Sequence, residues 1–191
     1  MKVICDNDLI VMSEKTECME TQNQSTATTN EYKVFIVEDT DVYRTLLVEF
    51  ISKIKALSDG EKTNYAIQSF SSGEECLENI GQKPDVVVLD YHLDSGGYLE
   101  NMDGLEVLKK LKYISPETEV IALSCQSSVE VVKEMLKAGA SYYIKKDNFS
   151  QIKVSQLIEN FIQKKIKSRD KKRRNLLWFS IFFLLVIFAL I

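Results

Sequence analysis

Residues 85–90 read DVVVLD, and no other stretch restricts the fold of this chain as strongly. Val86, Val87, Val88 and Leu89 form a short apolar run, mostly β-branched. Such a run reads as a strand buried on both faces, the pattern of a parallel sheet. The strand then ends in a carboxylate, Asp90. In open parallel sheets, ligands bind beyond the carboxyl ends of the strands. Asp90 is therefore the first candidate for chemistry. Capping of the following loop is the other reading, and this strand alone leaves both open.

The rest of the chain supplies partners for that strand. Lys33–Asp39, KVFIVED, is a second buried-strand run, and it too ends in acids. Asp41 offers an N-cap, and Val42, Leu46, Leu47, Phe50, Ile51 and Ile54 follow at helical spacing. Residues 58–64 read as a loop, and Tyr65–Phe70 alternates like a strand. Ser71 or Ser72 caps a short helix with Cys76, Leu77 and Ile80 inward, closed by Gly81. Beyond the 85–90 strand, residues 91–102 form a long connection containing Gly96 and Gly97. Helix 103–113, strand 119–124, helix 127–138 closed by Gly139, strand 141–145 and helix 149–168 complete the pattern. Five βα units predict an α/β fold: a flavodoxin-like doubly wound parallel sheet of order 2-1-3-4-5.

Charge narrows the range of partners. The net charge is −4, but Lys164–Arg174 alone carries eight basic residues and one acid, so the remainder carries −11. An acidic body argues against nucleic-acid binding by the domain. Cys5, Cys18, Cys76 and Cys125 show neither a close pair nor metal-ligand spacing. With a single histidine, His92, a zinc site is disfavoured and free thiols are expected. Residues 1–30 are polar and lack the charged-then-apolar pattern of a signal sequence, so they read as a flexible leader.

The 2-1-3-4-5 order sets the ends of the first and third strands side by side, so Glu38, Asp39 and Asp90 converge. Three carboxylates this close must protonate in part or hold a cation. Oxygen ligands without sulfur or clustered imidazole favour a hard ion such as Mg²⁺. The backbone carbonyl of His92 is placed to add a ligand. A carboxylate beside Mg²⁺ is also a competent nucleophile toward a phosphoryl group. Ser124 closes the fourth strand with a hydroxyl that can donate to a phosphoryl oxygen. Lys145 and Lys146 close the fifth with ammonium groups that neutralise phosphate or pair with an acid. Solvated strand-end acids are the alternative, made weaker by the joint occurrence of these groups at one sheet edge.

With VED at 37–39, VVLD at 87–90, MDG at 102–104, ALS at 122–124 and GASYYIKKD at 139–147, the chain resembles the response-regulator receiver family over residues 32–165. The resemblance implies that Asp90 accepts phosphate from a histidine kinase or phosphotransfer protein. It implies Mg²⁺ held by Glu38, Asp39, Asp90 and the His92 carbonyl, with Asp39 a direct ligand. Ser124 would bind the phosphoryl group and form a conformational switch with Tyr143. Counting from Gly139, the family's lysine falls on Lys146. The sequence departs from the family in three places: Asp147 stands where many members have proline, DSGGYLEN lengthens the segment between Asp90 and Gly104, and His92 lies near the phosphoacceptor, where it reads as a solvated loop imidazole. An unknown downstream protein partner, and a homodimer, are compatible with this reading. A phosphorylation-independent binding module is the runner-up. A Mg²⁺-dependent phosphatase is disfavoured, because His92 occupies the position of that class's second acid.

The tail adds a separate expectation. Residues 166–175 read as a basic juxtamembrane segment, and LLWFSIFFLLVIFALI at 176–191 carries no charge. Those residues span about 24 Å as a helix, against about 30 Å of hydrocarbon core. Trp178 near the start suits an interfacial position, and the basic run should stay cytoplasmic. A single-pass C-terminal transmembrane anchor, with the 31–165 domain on the cytoplasmic side, is the expected arrangement, and no output domain is expected to follow.

Overall fold

The fold was analysed in a computed structural model, which describes residues 31–54, 64–93, 102–126 and 128–190, with side chains through Ser180. The leader 1–30, residues 58–63 of the expected loop, and residues 94–101 of the long connection lie outside these.

The buried runs are strands. They are β1 (Glu31–Val37), β2 (Asn64–Phe70), β3 (Val86–Asp90), β4 (Glu119–Ser124) and β5 (Tyr142–Lys145). All pair in parallel in the order 2-1-3-4-5. β3 is central, and every one of its residues is buried. Its alternation assigns side chains to two cores. Val87 and Leu89 join Phe35, Val37, Val120 and Ala122 beneath α2 (Gly73–Glu78), α3 (Gly104–Ile114) and α4 (Val129–Lys137). Val86 and Val88 join Val34, Ile36, Ile121 and Leu123 beneath α1 (Asp41–Ile54) and α5 (Ser150–Leu190). Helices on both faces are what parallel strands with crossover connections require.

Local signals set most helix starts. Ser72, Asp103 and Ser128 cap α2, α3 and α4, each side chain accepting from the backbone N–H three residues on. Two expectations shift. Asp41 lies inside the first turn of α1 rather than ahead of it, where it pairs with Arg44. Gly81 does not close α2: Asn79 does, and a 3-10 turn at Ile80–Gln82 follows. Lys83 then takes the left-handed conformation at φ 55°.

α5 does not stop near 168. No glycine or proline interrupts residues 150–190, and the helix runs through all of them. Val154, Ile158 and Ile162 are buried on the sheet, whereas the helix is exposed from Arg169 to Ser180. The expected transmembrane anchor at 176–191 is not supported by the fold. Among the described residues no helix is long and apolar enough to cross a membrane. Only the first part of the apolar block, to Ser180, is among the described side chains, and the strongly basic run precedes it on the same helix. Cys76 is buried and Cys125 exposed, and both are free thiols.

Candidate functional site

Because β1 and β3 are neighbours, their carboxyl ends deliver acids to one place. β1 pairing ends at Val37, and Glu38 makes one further backbone bond, its N–H donating to the Phe70 carbonyl at 3.1 Å. Glu38 and Asp90 are buried, and Asp39 is half-buried. One carboxylate oxygen from each of the three lies within 4.8 Å of the others.

The counter-charge comes from β5. Lys146 lies one residue beyond that strand, and its N–H donates to the Ser124 carbonyl at 2.8 Å. Its ammonium donates to Glu38 Oε1 and Oε2 at 3.0 and 2.8 Å and to Asp90 Oδ2 at 2.7 Å. Lys145 is exposed, so Lys146 is the lysine that enters the cluster. Among the described residues this one ammonium is shared by two buried carboxylates, with Asp39 beside them, and Glu38 and Asp90 respond. Burial, reinforced by Asp90, raises the Glu38 pKa to about 7. Burial also raises that of Asp90. Desolvation opposes the charge of Lys146, but its bonds to Asp90 and Glu38 prevail and raise its pKa. The donor set is all oxygen and acidic, which suits a hard divalent cation.

The remaining expected groups surround this cluster. The His92 N–H donates to Asp90 Oδ1 at 3.3 Å, while its imidazole is exposed and meets Tyr91 edge-on. Ser124 is buried one residue past Leu123, the register partner of Asp90. Its Oγ accepts from the Gln126 N–H at 3.0 Å. Tyr143 is half-buried, and its hydroxyl donates to the Gln126 carbonyl at 2.9 Å. Ser124 and Tyr143 thus engage the two backbone groups of the same residue at the start of the β4–α4 loop.

Sequence reading assigned no role to four further residues. Arg44 donates to the Glu38 and Asp39 carbonyls at 2.6 and 3.3 Å and so fixes the turn that presents both acids. Tyr43 places its ring 4.7 Å from the Lys146 ammonium. Glu74 accepts from the Met102 N–H at 2.8 Å, fixing the far end of the long connection. Gly104 lets α3 start directly against the end of β3. A Cβ there would lie 2.2 Å from the Asp90 carbonyl oxygen. The MDG motif pointed to Gly104; nothing in the hydropathy pattern marked the others.

A family model described as the response regulator receiver domain matches residues 34–160. This chain belongs to the response regulator receiver family. Relatives agree. The receiver is 28% identical over 143 residues to the probable C4-dicarboxylate response regulator DctR of Bacillus subtilis, covering 73% of this chain and 57% of that protein. It is 30% identical over 115 residues to the chemotaxis protein CheY of Thermotoga maritima, covering 60% of this chain and 84% of that protein. The chain thus spans little more than half the length of DctR. Among solved structures, the BeF3-activated DrrB receiver domain aligns with a TM-score of 0.57 at 25% identity, covering 70% of this chain and 98% of that one.

Proposed function

We propose that this receiver accepts a phosphoryl group on Asp90 from a histidine kinase or phosphotransfer protein and thereby switches its affinity for a protein partner at a membrane surface. The observation that carries the reading is the Lys146 ammonium joining Glu38 to Asp90 beside Asp39. A carboxylate oxygen of Asp90 attacks phosphorus as the bond to the donor's imidazole nitrogen breaks. The electron pair leaves with that nitrogen, and an acyl phosphate remains. Lys146 neutralises charge on the transferred group, and the Ser124 hydroxyl donates to one of its oxygens. Glu38, Asp39, Asp90 and the His92 carbonyl would hold Mg²⁺, which when bound supplies positive charge to the phosphoryl oxygens. The chemistry is stoichiometric self-phosphorylation and hydrolysis, not turnover of a separate substrate. Output follows when Ser124 and Tyr143 give up their contacts with Gln126 and Tyr143 moves inward, reshaping the α4–β5–α5 face.

Beryllofluoride, a phosphoryl mimic, tests this in the full chain. With Mg²⁺ it should shift the amide resonances of Asp90, Ser124, Gln126 and Lys146 in the wild type but not in Asp90→Asn. Equal shifts in the two, or none in either, would refute the assignment.

The proposed metal also carries a pH dependence. A raised Glu38 pKa means that its favourable contribution is complete below about 4.5, where the unfolded group is also protonated. It is lost as pH rises through about 7. The metal-free protein should therefore lose stability over that range, and Mg²⁺ should bind more tightly as pH rises because it competes with the proton. Calorimetric Mg²⁺ titrations should give an affinity that climbs to about pH 7 and then levels off. A pH-independent affinity would contradict this.

The membrane part rests on the tail's chemistry. The basic run at 164–174 attracts anionic headgroups. Leu176, Leu177, Trp178 and Phe179 follow it, all exposed on α5. The proposed location is the cytoplasmic side, with this basic and apolar tail lying against the membrane surface. Flotation of the full chain with anionic vesicles, lost when 176–191 is deleted, is the expected result.

A further inference from the structure

The ring of Tyr43, on the first turn of α1, lies 4.7 Å from the Lys146 ammonium, near enough for a cation–π attraction. The Tyr43 hydroxyl lies 2.6 Å from Ser150 Oγ, an atom of a fully buried residue at the start of α5. Ser150 has one hydroxyl proton, and it is spent on the Asp147 carbonyl at 2.7 Å. Tyr43 must therefore be the donor to Ser150. Burial raises the phenol pKa, which keeps that proton in place. The hydrogen-bond relay ends on Asp147, the residue directly after Lys146. Tyr43 therefore meets Lys146 at its ammonium by the ring and, through Ser150, ties down the residue that follows it.

We infer that Tyr43 is a positioning residue for Lys146, fixing where the ammonium stands when a phosphoryl group arrives at Asp90. The proposal rests on the receiver reading above, and it explains a need specific to lysine. Lysine is a point charge on a flexible stem and is not preorganised by its own geometry. Glu38 and Asp90 hold the ammonium by hydrogen bonds, but the bond to Asp90 must change when that carboxylate takes the phosphoryl group, so these bonds alone do not limit its direction of approach. An aromatic face on a rigid helix supplies that limit, and the Ser150 relay keeps the backbone from sliding beneath it.

The test uses the full chain carrying Tyr43→Leu and Tyr43→Phe, with Tyr43→Met as a bulk-preserving replacement should the leucine variant not fold. Two readouts are taken. The first is the proton shift of the Lys146 ε-methylene without any phosphodonor. The ring should displace it upfield in the wild type and in Tyr43→Phe, and the displacement should vanish in Tyr43→Leu or Tyr43→Met. The second is the rate of phosphorylation by phosphoramidate at saturating Mg²⁺. It should fall about tenfold without the ring and by no more than about threefold in Tyr43→Phe. Mg²⁺ affinity should stay unchanged, because the carboxylates are intact. Ser150→Ala should slow the reaction in the same direction as Tyr43→Phe. A residue that merely packs α1 against α5 would lower stability and leave the phosphorylation rate alone, and that result overturns the inference. Should the wild type accept no phosphate, the phosphoacceptor reading fails, while the Lys146 methylene shift in Ser150→Ala, whose ring is intact, still decides the inference: a reduced shift supports positioning through the relay, and an unchanged one contradicts it.

Discussion

Lys146→Met is expected to destabilise the fold by about 3 kcal/mol at neutral pH and to abolish phosphoryl acceptance. The side chain sits among buried Glu38, buried Asp90 and Asp39, and its ammonium donates to the first two. Methionine keeps much of the volume but removes the charge, leaving carboxylates buried without compensation. Breaking a buried ion pair from one side is costly because the remaining ion stays desolvated. Two conditions should relieve the cost. As pH falls from about 7 to about 4.5 Glu38 protonates and the penalty shrinks, the sign expected of a carboxylate whose pKa rises on folding. Millimolar Mg²⁺ should restore stability at neutral pH by replacing the missing charge. Urea unfolding at both pH values, with and without Mg²⁺, measures all of this. A small loss, independent of pH and Mg²⁺, would show that the ammonium is not the cluster's counter-charge.

Gly104→Ala should have an effect of similar size through sterics alone. An added Cβ would lie 2.2 Å from the Asp90 carbonyl oxygen, 2.7 Å from Tyr91 Cα and 2.8 Å from the Tyr91 oxygen. All three are backbone atoms, so no side chain can rotate away. The Gly104 N–H also donates to the Tyr91 carbonyl at 3.0 Å, and a retreat of α3 would stretch that bond. The expected loss is about 3 kcal/mol, at the upper end for overpacking. Reaction at Asp90 should slow as well, because the displaced backbone carries its side chain. Gly81→Ala is the control. No atom lies within 4 Å of a Cβ there, so its effect should stay within about 0.5 kcal/mol. Equal unfolding midpoints for the two variants would contradict the packing argument.

The strands were legible because burial on both faces leaves a strong compositional mark. Val86–Leu89 can hardly be anything else, and its position fixed the sheet order once β1 was found. The acids were legible because a carboxylate closing such a strand is chemically conspicuous. Arg44 and Tyr43 were not. At the start of an amphipathic helix they look like surface residues, and their roles depend on Glu38 and Lys146 arriving from distant parts of the chain. The choice between Lys145 and Lys146 came from the family resemblance, and a one-residue slip in a short strand would have reversed it. Pairing of Lys145 with Ser124 in the β4–β5 ladder leaves Lys146 to turn inward. The end of α2 was misread because glycine suggests a stop, whereas Asn79 caps the helix and Lys83 adopts the positive φ. In the tail, the hydropathy of 176–191 suggested an anchor, and the last helix was expected to end in a break near 168. The continuous α5 shows that helix propensity carries the chain through the basic run without one.

The most direct measurement is the intact mass of the full chain after incubation with phosphoramidate, with and without Mg²⁺, in the wild type and in Asp90→Asn. The account predicts one added phosphoryl group in the wild type, dependent on Mg²⁺ and absent in the variant. A folded wild type that takes no phosphate, or an Asp90→Asn variant that takes it equally well, would contradict it.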